Sequence, residues 1–237
     1  MHSRHAVTIF STLLLLLSFS FNVHAADAGA FEELSGTVII TGADNVSRKA
    51  VGKDKVQSGD KITTESKSEA VIKMADESVV ILRPSTQYQF NEFKYEQKQT
   101  DSIFASLLRG TVRLVSGVIG RKNPSGVKFT TQTATVGIRG TDFELSVVTE
   151  DTAEARAGVY DYVHDGATNI KIASGQSLDV KKEQTAFAPD KPRPGEEPLQ
   201  LLAEPPLFLQ QGGGFDTLIQ SITSQPMNVI HQMPAFR

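Results

Sequence analysis

Between Phe31 and Phe187 apolar and polar positions alternate in short bursts separated by turn residues. Gly36-Thr37-Val38-Ile39-Ile40-Thr41 is β-branched and stops at Gly42. Asp60-Lys61-Ile62-Thr63-Thr64 follows a Ser58-Gly59 turn. Ala70 to Met74 and Ser78 to Leu82 flank Ala75-Asp76-Glu77, which reads as a hairpin. Gly110 to Val115 and Val127 to Thr131 alternate with period two. Thr141 to Val148, Gly158 to Val163, Asn169 to Ile172 and Ser177 to Val180 continue the series. Strands spaced by polar or glycine turns, with no helical period between them, predict an all-β domain. It would form a single solenoid-like or sandwich-like β stack. The segment Asp101–Leu108 fits either a helix or a strand. A weak internal echo links Gly36-Thr37-Val38 with Gly110-Thr111-Val112, and more loosely with Gly158-Val159. A second echo links Ser58-Gly59-Asp60 with Ser174-Gly175-Gln176. Their unequal spacing excludes a regular repeat.

The two ends read differently. Ala6 to Phe21 is almost wholly apolar and is followed by Val23-His24-Ala25, small or compact at the positions a signal peptidase reads. This predicts a cleaved signal peptide over residues 1–25. The stretch is shorter than a spanning helix, which needs about 20 apolar residues, and no later segment is long and apolar enough to replace it. At the other end, eight of the ten prolines lie beyond residue 188. Proline lacks a backbone donor and fixes φ, so it is excluded from inner strands. Residues 26–188 are therefore expected to form the β domain, and 189–237 a linker and tail. Leu199, Leu201, Leu202, Leu207, Phe208 and Leu209 make that tail too apolar for an inert linker. Part of 199–237 is expected to dock on the core, on a neighbouring molecule or on a partner. One or two helical turns are expected from Asp216 to Thr223.

Charge and composition narrow the chemistry. Loss of residues 1–25 removes Arg4 and no acid, leaving 23 basic and 27 acidic side chains. That balance provides no basic field for nucleic acid or for an anionic membrane. There is no cysteine, so an exported domain must rest on its hydrophobic core, and thiolate metal sites and thiol nucleophiles are excluded. Beyond residue 25 the histidines are His164 and His231, too few for an ordinary zinc site. Asp161 and Asp165 flank His164, but Asp165-Gly166 is a favoured hairpin dipeptide. A Ser-His-acid triad would have to use His164, and no strand–Gly-x-Ser-x-Gly–helix segment exists. No pair of carboxylates is marked out for glycoside hydrolysis. Gly212-Gly213-Gly214 lacks the Lys-Ser/Thr of a phosphate loop. The expectation is a non-enzyme with no cofactor and no metal.

The most informative run is Thr133-Ala134-Thr135-Val136-Gly137-Ile138-Arg139-Gly140-Thr141-Asp142-Phe143. Gly137 and Gly140 permit backbone angles closed to other residues. Arg139 carries five donors in a rigid fork, and is expected to turn inward onto loop carbonyls or a carboxylate, with Asp142 and Asp76 as candidates. The alternative is that it faces a ligand carboxylate. The run resembles the T-x-x-A-x-V-G-[IV]-R-G-T-x-F signature of FecR-type domains. Ser58 to Thr64 resembles the family's G-D-x-[IL]-x-T element. Ala75 to Ser78 resembles its D-G-S turn, with Glu77 in place of glycine. Leu82-Arg83-Pro84-Ser85-Thr86 resembles L-x-P-x-S/T, and Leu108 to Val112 resembles L-x-x-G-x-V. Gly158-Val159 with Ser174-Gly175-Gln176 resembles the closing pair. The resemblance covers roughly residues 34–185, in the family's order.

In transmembrane regulators of that family the FecR-like region is periplasmic. It receives a signal from an outer-membrane transporter, while a cytoplasmic N-terminal segment controls a sigma factor. Here the first apolar stretch starts near residue 6, which leaves no such segment, and no separate α+β subdomain follows the strands. The resemblance therefore implies a stand-alone exported module, in the periplasm or secreted, that mediates protein interaction or senses a signal. Its expected partner is an envelope protein, with no nucleic acid and no membrane span after processing. The motif residues Gly137, Ile138, Arg139, Gly140, Thr141 and Phe143 are expected to be structural. The alternative function is a small-ligand or polysaccharide-binding β domain. Arg139, Tyr88, Phe93 and Tyr95 are its candidate ligand residues, although the i, i+2 spacing of Tyr88 and Phe90 is also that of a buried strand face.

Overall fold

The computed structural model describes residues 27–210 and 214–216. The expected signal segment lies outside them, as does all but Asp216 of the stretch Asp216–Thr223. The described chain is all-β. It winds between two hydrogen-bonded layers, usually two strands at a time. β1 (Asp27–Ser35) lies in the first layer, β2 (Val38–Thr41) and β3 (Ser47–Lys49) in the second. β4 (Lys55–Gln57) returns to the first, and β5 (Lys61–Thr64) goes to the second. β6 (Glu69–Met74) and β7 (Val79–Leu82) form a hairpin in the first layer. β8 (Gln87–Lys94) pairs in the second layer with the N-terminal half of β9 (Ser102–Val115). The C-terminal half of β9 pairs with β7 in the first.

After the short helix α1 (Val118–Lys122), the alternation continues. β10 (Val127–Thr130) and β11 (Ala134–Ile138) lie in the second layer, β12 (Asp142–Val148) and β13 (Gly158–Asp165) in the first. β14 (Ala167–Ile172) and β15 (Ser177–Lys181) return to the second layer. β16 (Thr185–Pro189) and β17 (Gln200–Leu201) end in the first. All pairings are antiparallel except β9 with β10. The segment Asp101–Leu108, open to either period, is strand because Ile103, Ala105 and Leu107 are buried and their neighbours face outward.

One core fills the space between the layers. Phe31, Ile72, Leu114 and Leu145 reach into it from the first layer, and Ile62, Tyr88, Phe129 and Ile170 from the second. Phe129 and Phe143 meet edge to face across it, ring centroids 5.3 Å apart. Layers joined this way bury alternate residues of most strands, which accounts for the period-two patterning.

The Gly-Thr echoes mark corners where the chain changes layer. Gly36 and Gly110 have φ of +74° and +82°, and the following Thr37 and Thr111 donate their N–H groups to the hydroxyls of Ser68 and Thr86, at 2.9 and 3.0 Å. Gly140-Thr141 is a third such corner: Gly140 has φ +61° and the Thr141 N–H donates to Ser116 Oγ at 2.7 Å. Gly158-Val159, the looser echo, lies within β13 instead. Asp165-Gly166 is also a layer change and not the hairpin its dipeptide suggested. β13 and β14 belong to different layers, with Gly166 at φ +82° tight against the Gly140 carbonyl.

The strand pairing runs on past residue 188. Position 188 falls inside β16, and Gln200–Leu201 extends the first layer beyond it. Leu199 and Leu209 are buried, and α2 (Leu207–Gln210) sets Phe208 edge to face on Tyr160 at 5.2 Å. Tyr160 in turn stacks on Phe187 at 4.4 Å. Arg156 holds Glu196 through two hydrogen bonds of 2.5 and 3.1 Å, fastening the proline-rich loop. This pairing, with the Arg193 N–H, draws the Glu196 carboxyl down to about 2.

Candidate functional site

The glycine-arginine run spans β11, a corner and the start of β12. Ala134, Val136 and Ile138 face the core, so Thr135, Gly137 and Arg139 face out. Phe143 is buried against Phe129. Thr141 is buried, donating its hydroxyl to the Ala167 carbonyl at 2.7 Å and accepting from the Arg139 N–H at 3.2 Å. Ile138, Gly140, Thr141 and Phe143 thus lie at the layer change, three of them buried.

Arg139 does not turn inward. Its side chain is 70% exposed, and the nearest acid is Asp179, 4.0 Å away on β15. The expected inward partners are engaged elsewhere. Asp142 forms a fork-to-fork pair with Arg113, at 2.9 and 2.8 Å. Asp76 is fully buried and accepts from the Ser78 N–H, the Ser78 hydroxyl and the Ile119 N–H, tying the β6–β7 turn to α1. The aromatic candidates fail for the opposite reason. Tyr88 is fully buried and Phe93 nearly so, with Tyr95 half-buried against the core. They fill the core and line no open groove.

The residues around His164 also disperse. Asp161 points into the core and donates nothing to a surface site, while Asp165 is exposed and pairs with Lys182 at 3.2 Å. His164 Nε2 lies 3.3 Å from Glu144 Oε2. Among the described residues no group of His, Asp and Glu is arranged to hold a metal ion.

Three surface features emerge that the motifs did not mark. The first is an open groove of about 610 Å³ on the outer face of the second layer. Its floor is Gly137, flanked by Lys128, Thr135, Asn169 and Lys171. The strand register sets these in two rows: Lys128, Gly137 and Asn169 in one, Thr130, Thr135 and Lys171 in the next. The period-two pattern of Val127-Lys128-Phe129-Thr130 already put Lys128 and Thr130 outside. The second feature is the outer edge of β15, which pairs with no strand among the described residues. The Lys181 N–H points away from β14 and bonds the Gln184 side chain at 3.0 Å. By alternation, the N–H groups of Ser177 and Asp179 point the same way.

The third is a charged cluster on the outer face of the first layer. Arg83, mostly buried, bonds Glu144 at 3.2 Å and Asp216 at 2.6 Å. Arg113 reaches the same Asp216 oxygen at 3.1 Å. Beside them Val71, Val79 and Ile81 form a small apolar cluster against which Phe215 packs. The all-apolar run of β7 signalled this second buried face. The pairing with Asp216 is too distant in sequence for any local signal.

Comparison with known proteins follows the fold. No curated protein matches the chain. Two crystal structures of a candidate anti-sigma factor from Parabacteroides distasonis, at 2.50 and 1.65 Å, are similar to it. Their TM-scores are 0.49 and 0.48 at 15% and 16% identity. Each similarity covers 63% of this chain and 62% of that protein, so the chain spans less than two thirds of its neighbours' length. The family comparison matches residues 60–176 to "FecR protein", a range that runs from the start of β5 to the β14–β15 turn and includes the glycine-arginine corner. Residues 60–176 of this chain are a FecR domain.

Proposed function

We propose that the chain is a non-catalytic, exported FecR module that binds a protein partner or senses a signal in the periplasm or at the envelope. The N-terminal segment 1–25 is its export signal. The FecR domain carries this reading, and the open β15 edge supplies a physical route for it. An extended segment of an envelope protein would add to that edge as a further strand, its backbone answering the outward groups of Ser177 and Asp179. The family's role as a regulatory domain, the two-histidine inventory beyond residue 25 and the dispersal of acids around His164 support a role without catalysis.

Site-specific photo-crosslinking in the protein's own cells tests this. A crosslinker at Asp179, exposed on β15, should trap one envelope protein, whereas one at Val46, exposed at the opposite end of the second layer, should not. Ser177→Pro removes an outward donor and leaves the bonds to β14 intact, so it should abolish the adduct without lowering thermal stability. Equal trapping from both positions, or an adduct indifferent to Ser177→Pro, would refute the edge-binding role.

A further inference from the structure

We infer that the groove over Gly137 binds an acidic glycan, a chain of uronate-type sugars laid across β10, β11 and β14. This goes beyond the protein partner proposed above and uses the outer face of the second layer, not its free β15 edge. Four observations carry it. A Cβ on Gly137 would meet nothing within 4 Å, so the bare backbone opens a floor where any other residue would stand. The groove's own lining holds Lys128 and Lys171 and no carboxylate, the nearest acid in the row being Asp179 one strand beyond, bonded to Asn169 at 2.8 Å, in a chain whose net charge is −3. From the register, the two lysines sit diagonally across two strand spacings and two residues, on the order of 12 Å apart. The remaining outward groups, Thr135 and Asn169, offer both donors and acceptors, as sugar hydroxyls require.

The groove is shallow and open. Small-molecule sites enclose most of their ligand, and this surface suits an extended chain gripped along one side. Nucleic acid is disfavoured. Two lysines are few for a phosphate backbone, and Phe104, the neighbouring aromatic, lies under the Lys128 ammonium at 6.0 Å instead of offering a free ring.

Affinity electrophoresis and calorimetry with the protein purified from its own cells, using alginate, polygalacturonate and neutral dextran as probes, test the assignment. Retention by at least one acidic polymer and not by dextran is expected. Gly137→Tyr, whose Cβ would stand in open space, fills the floor and should weaken retention about tenfold or more, as should the Lys128→Glu/Lys171→Glu pair, through loss of charge-assisted contacts. Val46→Ala, exposed at the opposite end of the second layer, should leave retention unchanged. The thermal melt of Gly137→Tyr should match the parent, separating lost binding from lost fold. No retention by either acidic polymer, equal retention by dextran, or retention indifferent to both groove variants would overturn the inference. So would a Gly137→Tyr variant that changes oligomeric state while keeping its glycan binding.

Discussion

Asp161 on β13 accepts a 2.6 Å hydrogen bond from the hydroxyl of Thr168 on β14, across the core from one layer to the other. Both residues are buried, and the second carboxylate oxygen of Asp161 has no partner. Burial pushes its carboxyl up to about 7, the Thr168 bond opposing only in part, against 3.8 for a free aspartate. Below pH 4 the group is protonated folded and unfolded alike. Between pH 4 and 7 the unfolded chain gives up the proton and the native chain keeps it, so stability falls as pH rises; above 7 the loss levels off. Asp161→Asn keeps an acceptor for Thr168 and removes the titration. Thermal melts at pH 4.5, 6 and 7.5 should show the variant gaining on the parent steadily, by a few kcal/mol overall. A constant difference across the series would mean that Asp161 is ionised in the native fold.

The corner glycines and the strand glycine of the family signature should respond oppositely to alanine. At Gly110 the backbone is left-handed, and a Cβ would fall 2.4 Å from Thr86 Oγ1 and 2.6 Å from Thr86 Cα. Gly110→Ala should cost about 2–4 kcal/mol, combining conformational strain with overlap against backbone. Gly137 lies within β11 in open space, and Gly137→Ala should add about 0.5 kcal/mol by restricting the unfolded chain. Urea denaturation of the two variants measures both signs.

That contrast shows what the sequence made legible. Strands were readable because two facing layers impose a period of two. β7 read as wholly apolar because its outer face is buried too. The outward orientation of Arg139 was also readable: with Ala134, Val136 and Ile138 inward, parity places Arg139 outside. The five-donor argument for an inward fork gave way to register. The layer changes were hidden because each depends on a hydroxyl from a distant segment, as Gly110 depends on Thr86 and Gly140 on Ser116. Tyr88 and Phe93 had strand spacing that served burial as well as binding, and closure of the second layer decided for burial. The Gly137 groove exists only once β10, β11 and β14 are aligned, so no single stretch of sequence announced it.

Asp216 should prove a latch for the C-terminal segment. One of its oxygens serves both Arg83 and Arg113, and Arg83 Nη1 is buried with no hydrogen bond of its own, Glu69 lying 3.8 Å away. Asp216→Ala should cost about 1–3 kcal/mol, the range for a hydrogen bond between charged groups with a partner left behind. Arg83→Ala should cost more, about 3–5 kcal/mol, because it strips the buried Glu144 of its cation. Limited proteolysis of Asp216→Ala should cut beyond residue 210 sooner than in the parent while the β domain stays intact. Unchanged cleavage there would show that Asp216 does not fasten the segment.

Truncation separates the latch from the fold. Ending the chain at residue 210 removes Phe215 and Asp216 but keeps β17 and α2. Ending it at 188 also removes Leu199 and Leu209, both buried, and strips Phe208 from Tyr160. Each buried leucine contributes about 1.5–3 kcal/mol, so the shorter form should lose about 3–6 kcal/mol more than the longer one. Tyr160 and Phe187 would then be exposed as an apolar patch, which should raise dye binding and aggregation. Comparing the two forms by thermal melting and by ANS fluorescence assigns residues 189–210. Equal melting points would place those residues outside the cooperative unit. A large deficit confined to the 188 form makes β17 and α2 an integral part of the first layer.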